Sequence, residues 1–505
     1  MSADLVRDLP LILLSHRGPV SFTTDADGER VAHRGAGGLV SALTGLVTQL
    51  PDAVWVCVAP PGEDAAVARE SGGELVRLDL GPPTRVLDGG EPSTRGTVSL
   101  RLVEIPADMH EPFYGVIANP LLWFVQHRLY GLATEPSLGR TEHAAWEQGY
   151  VAANQLGADA VAEQVERAGG AATVLLHDYH FYLVGDLLRQ RFPQLLLSHF
   201  VHIPWPGPDA WKVLPPDMRN AVLHGLLGCD VVGFHTATDA RAFLLCVQEL
   251  LGLPVDLDAG SVRVGARLVR ARSYPISIDV TALEEVAASE ATVAHLAQLP
   301  TTGQLLLRVD RTDPSKNIVR GFTAFELMLS EHPELHGDVV FLALLQPSRQ
   351  DVPEYASYLT EIGGAAARVN ARFGTGSWQP VDLRLASDLA LAVAAYRRCD
   401  VLVVNAVADG MNLVTKEAVV VNERNMVLAL SESTGAHGEL GRFAVTLHPF
   451  DIAQQADALH QALTMPQRER AERHRAADEV VRRNDVRRWL GVQLDDLAGI
   501  AADEQ

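Results

Sequence analysis

The chain has 505 residues, of which 47% are hydrophobic, and 42 Lys+Arg stand against 63 Asp+Glu, a formal net charge of −21. At roughly 100–200 residues per domain this length predicts two to four domains with ordinary apolar cores. The composition excludes a disordered chain, a collagen-like fibre and a disulfide scaffold. The acidic excess argues against nucleic acid as the main partner, and no apolar stretch reaches the roughly 18 residues of a membrane span.

The N-terminus and the cysteines indicate a compartment. The first residues lack a basic segment and a small-residue cleavage site, so the apolar run at Leu11–Leu14 predicts a β-strand rather than a signal peptide. No two cysteines have CxxC spacing, and their apolar surroundings predict free, buried thiols in a reducing cytoplasm. The cysteines are Cys57, Cys229, Cys246 and Cys399.

Short apolar runs alternate with longer amphipathic stretches along the chain, which predicts βαβ units, parallel sheets and an α/β class. The predicted strands are Leu11–Leu14, Val54–Val58, Thr173–Leu176, Leu196–Val201, Val231–Phe234, Leu305–Val309, Val339–Leu345 and Val401–Val404. The predicted helices include Gly149–Ala168, Asn220–Leu227, Ile318–Leu329 and Leu389–Arg398.

These elements form two series, with a crossover expected near Tyr274–Asp279. We therefore predict an N-terminal domain over residues 1–280 and a C-terminal domain over residues 281–465. The charged segment 466–505 has helical periodicity and is expected to pack back toward the N-terminal domain through Trp489 and Leu490. No long Gly/Ser linker separates the two series, so we expect the domains to face each other across a cleft.

Ligands of open parallel sheets bind beyond the carboxyl ends of the strands, so the residues that follow each strand are the candidate site residues. In the first series these are Ser15–Gly18, His177–His180 and His202–Pro206, and a Gly-rich turn, Ala36–Leu39, opens a helix. A Gly-rich helix start can bind an anion, although a tight turn without a ligand is more frequent. Asp178 and His202 could bind sugar hydroxyls, or serve as a helix cap and a structural histidine.

The second series carries cations at its strand ends. Arg311 and Lys316 flank a strand-to-helix turn and could face one diphosphate, and Arg349 lies in an equivalent place after the next strand. Asp409-Gly410 then precedes a helix that contains Glu417. Exposed basic residues and dipole-stabilising acids are the alternative explanations of each position taken alone.

Two common kinds of site are not indicated. The chain lacks GxxxxGK[ST], so a P-loop nucleotide site is not expected. His177 and His180 could in principle hold a metal, but no HExxH and no clustered carboxylates accompany them, so we predict no metal site.

Seven motifs, in constant order over nearly the whole chain, resemble those of the trehalose-6-phosphate synthases, retaining glycosyltransferases with two Rossmann-like domains of the GT-B type. They are SHRG with AGGL (Ser15–Gly18, Ala36–Leu39), Tyr114 with Asn119–Trp123, HDYH (177–180), HIPWP (202–206), DRTDPSKN (310–317), QPSRQDV (346–352) and DGMNLVTKE (409–417).

The resemblance implies transfer of glucose from a nucleoside diphosphate glucose to glucose 6-phosphate, with retention and without a cofactor. The N-terminal domain would bind the acceptor and the C-terminal domain the nucleotide sugar. The implied catalytic residues are His202, Asp178, Arg311, Lys316 and Asp409. The implied donor-binding residues are Gly37, Gly38, Arg311, Lys316, Asp409, Gly410, Met411, Asn412, Leu413 and Glu417. The implied acceptor-binding residues are Arg17, Tyr114, Trp123, Asp178 and Arg349.

The sequence shows no obvious pair of carboxylates that could act as nucleophile and general acid. This favours a front-face route, which the family is thought to use, in which the leaving phosphate takes the proton of the acceptor hydroxyl. Two departures from the family pattern concern the donor. Ala408 replaces a basic residue before Asp-Gly, and Leu383–Leu389 lacks the aromatic and basic residues that many uridine-using members have there. We therefore expect GDP-glucose slightly ahead of UDP-glucose.

Three alternatives remain. A pseudo-glycosyltransferase would join a nucleotide-activated cyclitol to a phosphorylated amine, but Met411, Lys416 and Glu417 keep the synthase pattern. A catalytically silent regulatory homologue would be expected to have lost site residues that are present here. A nucleotide-sugar 2-epimerase would not need Arg17 and Arg349. No DxDxT-type phosphatase motif follows the last segment, so we expect a separate downstream phosphatase, and a homo-oligomer is compatible with the sequence.

Overall fold

The computed structural model describes residues 9–25, 27–34, 43, 53–79, 85–86, 97–299 and 303–503. The chain divides into two compact units, one made of residues 1–274 with 486–505 and the other of residues 275–485. The domain division after residues 280 and 465 stays a prediction. Each unit is built around its own mainly parallel sheet, so the predicted α/β class with two Rossmann-like units is confirmed.

The first unit contains an eleven-stranded sheet in the order β11-β12-β13-β10-β9-β8-β1-β4-β7-β5-β6 and a separate β2-β3 hairpin. The seven strands from β13 to β7 in this order run parallel, and antiparallel strands close both edges. The strands are β1 Leu11–Ser15, β2 Val20–Thr24, β3 Arg30–Arg34, β4 Val54–Ala59, β5 Val76–Asp79, β6 Arg85–Val86, β7 Thr97–Glu104, β8 Thr173–His177, β9 Leu196–Phe200, β10 Val231–Phe234, β11 Val255–Asp256, β12 Ser261–Val264 and β13 Arg267–Ser273.

The helices of the first unit cross between these strands, and two of them are interrupted by π-helical segments, Glu111–Leu122 and Trp146–Val151. A short 3₁₀ turn, Tyr179–Phe181, follows β8. The α-helices are α1 Glu63–Ser71, α2 Ala107–His110, α3 Trp123–His127, α4 Arg140–Ala145, α5 Ala152–Arg167, α6 Val184–Arg191, α7 Pro208–Trp211, α8 Pro216–Leu227 and α9 Ala237–Leu251.

The second unit has a six-stranded, all-parallel sheet in the order β16-β15-β14-β17-β18-β19. Its central strands are almost wholly apolar and buried on both faces, as parallel strands covered by helices must be. The strands are β14 Gln304–Arg311, β15 Val339–Gln346, β16 Val381–Leu385, β17 Val401–Val404, β18 Val427–Ser431 and β19 Val445–Leu447.

The helices of the second unit begin at side-chain caps in several places, for example at Asp388 and Asp451. The α-helices are α10 Val280–Ala288, α11 Glu290–Leu296, α12 Ile318–Glu331, α13 Pro353–Phe373, α14 Leu389–Arg398, α15 Leu413–Val421, α16 Gly435–Leu440, α17 Ile452–Thr464 and α18 Gln467–Arg483. The 3₁₀ turns are Pro314–Lys316, Pro333–Leu335 and Gly441–Phe443.

The last helix, α19 (Val486–Asp503), belongs to the first unit. Its Trp489 donates from Nε1 to the Tyr274 carbonyl at 3.1 Å, and Tyr274 donates from its hydroxyl to Asp496 at 2.6 Å. The Trp489 ring also meets Phe200 edge to face at 5.1 Å. These contacts place the end of the chain beside the carboxyl ends of the central strands.

All eight predicted strands are present, and the four predicted helices lie within observed helical structure except for Ala168, which follows the end of α5 at Arg167. The four cysteines are buried and free. None of the helices in the described ranges combines the length and apolarity needed to cross a membrane.

Candidate active site

In the first unit, Asp178 lies at the end of β8 in an unusual backbone conformation. Its φ is +70°, a region that costs a non-glycine residue on the order of 1–3 kcal/mol unless neighbours hold it. Its amide donates to the Phe200 carbonyl at 2.8 Å, and its carbonyl accepts from His199 Nε2 at 3.1 Å. The His202 amide approaches its carboxylate at 3.4 Å. The strands therefore bring Asp178 and His202 together, as predicted.

A cluster of imidazoles surrounds this point. His177 Nδ1 lies 3.1 Å from His202 Nε2, and His235 Nε2 lies 3.2 Å from the His202 carbonyl. Burial lowers the pKa of His177 and of His199 to about 3, and the charge on the neighbouring His199 lowers the pKa of His177 further. Burial also lowers the pKa of His202 well below its usual range, and the nearby His177 adds to the effect. The three rings are therefore neutral at physiological pH.

The aromatic residues predicted for the acceptor pocket lie next to the HDYH segment. Tyr114 stacks on His16 at 4.8 Å, and His16 stacks in turn on His180 at 4.3 Å. Trp123 is buried, stacked on His127 at 4.0 Å and edge-on to Tyr179 at 5.6 Å.

Arg17 follows β1 and is exposed, and its carbonyl accepts from the Ser15 hydroxyl at 2.7 Å. Gly37 and Gly38, predicted to close over the donor diphosphate, lie outside the described residues.

In the second unit, Lys316 is almost buried and forms an ion pair with Asp409. The Asp310 carboxylate beside them accepts from Arg308 Nη2 at 3.0 Å, and Arg308 also donates to the Lys316 carbonyl at 2.9 Å. Burial alone would lower the pKa of Lys316, but Asp409 and Asp310 outweigh it and raise that pKa. Lys316 is therefore a permanent cation held at a defined point.

A second basic group lies at the adjoining strand end because β14 and β15 pair with Arg311 opposite Gln346. Arg311 Nη2 and Arg349 Nη1 each lie 3.8 Å from the same Asp313 oxygen. The Tyr355 hydroxyl bonds that oxygen at 3.0 Å and accepts from Arg349 at 2.5 Å. Arg349 is 8% exposed and Arg311 37%, so Arg349 is the more firmly held of the two.

The segment from Asp409 to Leu413 presents its backbone rather than side chains. The Asp409 carbonyl accepts from the Gly435 amide at 3.0 Å, and any Cβ at Gly435 would collide with the Gly410 carbonyl. Among the described residues, no acceptor meets the amides of Gly410, Met411, Asn412 or Leu413. Asn412 donates to Asp409 Oδ2 at 3.0 Å and caps α15 through the Thr415 amide. The start of α15 is therefore a row of N–H donors beside a carboxylate.

Two charged residues lie further along α15. Glu417 accepts from the Tyr396 hydroxyl at 3.1 Å, and burial raises the pKa of its carboxyl. Lys416 points elsewhere: it donates to the Ile276 carbonyl at 2.7 Å and to Glu439 at 2.6 Å.

Among the described residues, one group could hold a metal ion: His332, Glu334 and His460. Its two imidazoles stack in nearly parallel planes at 3.6 Å, so their lone pairs do not converge on one point. His332 ends α12, whereas Asn317 at the Lys316 turn begins it, so about 20 Å of helix separate this group from the cations.

The predicted site residues thus fall into two groups. The described donor-binding residues lie together in the second unit, and the acceptor-binding set is divided, with Arg17, Tyr114, Trp123 and Asp178 in the first unit and Arg349 in the second. The prediction omitted several buried partners: His177, Arg308, Asp310, Asp313, Tyr355 and Tyr396. An arginine inside the apolar strand at 308 was a usable signal, whereas nothing in the sequence around Tyr355 indicated its contact.

Two Rossmann-like units with cations, carboxylates and free amides at their strand ends define a glycosyltransferase of the GT-B class. The family model of glycosyltransferase family 20 matches residues 10–499, and the chain belongs to that family.

Relatives of known activity match over nearly the whole chain. An α,α-trehalose-phosphate synthase (UDP-forming) of Emericella nidulans is 31% identical, over 95% of this chain and 90% of its own length. A bifunctional trehalose-6-phosphate synthase/phosphatase of Thermoproteus tenax is 32% identical, over 95% of this chain and 62% of its own. The crystal structure of an α,α-trehalose-phosphate synthase (UDP-forming) from Burkholderia vietnamiensis superimposes with a TM-score of 0.78 at 28% identity, covering 98% and 99% of the two chains.

Proposed function

We propose that the protein transfers glucose from a nucleoside diphosphate glucose to glucose 6-phosphate, forming α,α-trehalose 6-phosphate with retention. The observation that carries this proposal is the arrangement around Lys316. A buried cation, a carboxylate at Asp409 and the amides of 410–413 lie together at adjacent strand ends. Such a group suits a ligand that carries both a diphosphate and sugar hydroxyls.

On this proposal the second unit binds the donor. Lys316 and Arg311 hold the diphosphate and stabilise its charge as it leaves. Asp409 accepts hydrogen bonds from sugar hydroxyls, aided by the amides of residues 410–413, and Glu417 holds the ribose. That Gly37 and Gly38, which lie outside the described residues, close over the diphosphate stays a prediction.

The acceptor is proposed to bind through Arg17, Tyr114, Trp123 and Asp178, with Arg349 completing the hold on its phosphate. The structure supports the pairing of Arg349 with a phosphate in one respect: its guanidinium is oriented by Tyr355 and Asp313, as a bidentate phosphate ligand should be. His202 is proposed to contact the donor sugar, and Asp178 to lie between donor and acceptor.

The proposed reaction needs no metal or cofactor. The bond between the glucose anomeric carbon and the diphosphate oxygen breaks, and the acceptor hydroxyl bonds to that carbon on the same face. The proton of the hydroxyl passes to the departing phosphate oxygen. Because the buried His177 and His202 are neutral at physiological pH, neither of them supplies a proton to the departing phosphate oxygen.

The nucleobase of the donor is proposed separately from the reaction. The Emericella nidulans and Burkholderia vietnamiensis relatives bear the name UDP-forming, so they give no support to the expected preference for GDP-glucose, and we propose UDP-glucose as the donor. GDP-glucose stays the alternative because Ala408 and the Leu383–Leu389 segment depart from the uridine pattern.

The test is release of nucleoside diphosphate with glucose 6-phosphate and UDP-, GDP- or ADP-glucose in parallel, with the product identified by NMR as an α,α-linked disaccharide phosphate. A kcat/KM that is highest with UDP-glucose supports the proposal, whereas one that is highest with GDP-glucose would show that guanosine is the preferred nucleoside. Activity with none of these three donors but with a nucleotide-activated cyclitol would identify the protein as a pseudo-glycosyltransferase instead. A separate phosphatase acting on the product, a cytoplasmic location and a homo-oligomer stay predictions.

A further inference from the structure

His177 and His202 share one hydrogen bond between their rings. Which of the two rings donates its hydrogen determines whether the other side of His202 can donate or accept. His177 Nδ1 and His202 Nε2 are 3.1 Å apart, a normal hydrogen-bond distance. Because burial keeps both rings neutral, one nitrogen donates and the other accepts. Two tautomer pairs are therefore available.

The surroundings of His177 select between them. Its other nitrogen, Nε2, is buried and meets no hydrogen-bond partner among the described residues. A hydrogen on Nε2 would leave a buried N–H without an acceptor, which is the rarer and costlier defect, whereas a bare ring nitrogen loses only a weak acceptor. The hydrogen of His177 therefore belongs on Nδ1, where it is donated to His202.

The other imidazoles packed around the pair follow the same rule. His199 and His235 each direct Nε2 at a backbone carbonyl, of Asp178 and of His202 respectively, and a carbonyl can only accept. Both rings therefore carry hydrogen on Nε2. Trp489 closes the cluster with its ring 6.4 Å from that of His177 and supplies no acceptor there.

His202 is then fixed by its neighbour. Since its Nε2 accepts from His177, its own hydrogen must lie on Nδ1. The His202 ring is half-buried, and no described residue accepts from Nδ1. The free side of the ring is a hydrogen-bond donor.

We infer that His177 is a positioning residue that holds His202 in its Nδ1–H form, so that His202 donates to a hydroxyl of the donor sugar. In this form Nδ1 has no lone pair to accept a proton. His202 therefore cannot serve as the general base through its free side, which leaves the proton to the departing phosphate. The kinetic consequence rests on the proposed function, whereas the tautomer does not.

The first test reads the tautomer directly. The full-length enzyme is labelled with ¹⁵N-histidine, and long-range ¹H–¹⁵N correlations of the rings are recorded at pH 7.5 without substrate. The His202 signal is assigned by its loss in His202→Gln. We expect a protonated Nδ1 and a bare Nε2 for His202. A protonated Nε2, or a charged ring, would overturn the inference whatever the enzyme's activity.

The second test uses three nearly isosteric side chains at position 177. Asn places an amide N–H near the position of Nδ1, Asp places an acceptor there, and Leu places neither. We expect His177→Asn to keep the Nδ1–H form of His202 and kcat/KM for the donor within about threefold of wild type. His177→Leu should lose about tenfold, the worth of one hydrogen bond, with the KM for glucose 6-phosphate unchanged.

His177→Asp should convert His202 to the Nε2–H or charged form. It should also add to the pH–rate profile an acidic limb that His177→Asn lacks.

Thr173→Val is the matched control, because the buried hydroxyl of Thr173, on the same strand, has no partner among the described residues. The positioning role would be overturned if His177→Asn and His177→Leu lost kcat/KM equally. It would also be overturned if His177→Leu kept both the Nδ1–H form of His202 and wild-type kinetics.

If His177→Asp fails to fold, the comparison of His177→Asn with His177→Leu still tests the positioning role. A correct tautomer in an enzyme that transfers no glucose would refute only the proposed function.

Discussion

Lys316 and Asp409 form an ion pair between the segments that follow β14 and β17, two strands that are neighbours in the second sheet. Their side chains are 13% and 16% exposed. Lys316→Ala would leave Asp409 and Asp310 facing each other without a shared cation. We expect loss of at least about 100-fold in kcat together with a loss of stability of about 3 kcal/mol. Steady-state kinetics and urea unfolding measure the two effects, and full activity in this variant would refute the assignment.

Arg311 offers the complementary case. It is the more exposed of the two proposed diphosphate ligands, and its contact with Asp313 spans 3.8 Å. Arg311→Ala should therefore lose transfer by a similar factor while the free energy of unfolding changes by less than about 1 kcal/mol. Arg372→Ala, which removes an exposed arginine paired with Glu326 on the helical layer, is the control and should change neither quantity.

The features that could be predicted from the sequence are those that depend on local sequence pattern and on strand order. Strands such as β15 were predictable because a buried parallel strand is a continuous apolar run. Strand ends in turn predicted Asp178, Arg311 and Lys316 as site residues, since each follows a parallel strand and lies at the carboxyl-terminal edge of its own sheet.

The remaining parts of the site depend on contacts between residues distant in the chain. Tyr355 reaches Asp313 from a helix 42 positions away, and His177 was considered only as a metal ligand because nothing local shows that its Nδ1 meets His202. Arg349 was grouped with Arg17 through the family resemblance, and only the pairing of β14 with β15 shows that it shares Asp313 with Arg311.

Tyr355→Phe tests the proposed phosphate ligand without touching it. The hydroxyl accepts from Arg349 and bonds Asp313, so its loss frees the guanidinium to move. We expect the KM for glucose 6-phosphate to rise about tenfold while the KM for the nucleotide sugar stays within twofold. If the KM for the nucleotide sugar rises instead, Arg349 belongs to the donor site. Tyr358→Phe is the matched control, because it removes another tyrosine hydroxyl from the next turn of the same helix. That hydroxyl accepts from the Ile318 amide instead.

Lys416 and Glu439 form a buried pair that the proposed chemistry does not use. Lys416 is 1% exposed and also donates to the Ile276 carbonyl, so it ties α15 to the beginning of the second unit. Glu439→Gln should cost about 3–5 kcal/mol because it leaves a buried ammonium without its counterion. The double variant Lys416→Met with Glu439→Leu should be less destabilised than either single change. Urea unfolding of the four proteins gives the coupling energy, and additive losses would show that the pair is not coupled.

The buried histidines of the first unit make its stability depend on pH. His177 and His199 have a pKa of about 3 when folded, against about 6.5 in an unfolded chain. Between these values the unfolded state binds more protons, so stability falls as the pH is lowered through that window. Each group contributes about 1.4 kcal/mol per pH unit.

Unfolding in urea at pH 7.5, 6.0 and 5.0, followed by tryptophan fluorescence, should show this loss below about pH 6. His199→Gln keeps the donor to the Asp178 carbonyl but removes one titrating group, and the slope should fall by about 1.4 kcal/mol per pH unit. Thr173→Val, a buried change in the same unit that removes no titrating group, should leave the slope unchanged. A slope that is the same in His199→Gln and in wild type would mean that His199 is not held neutral in the folded state.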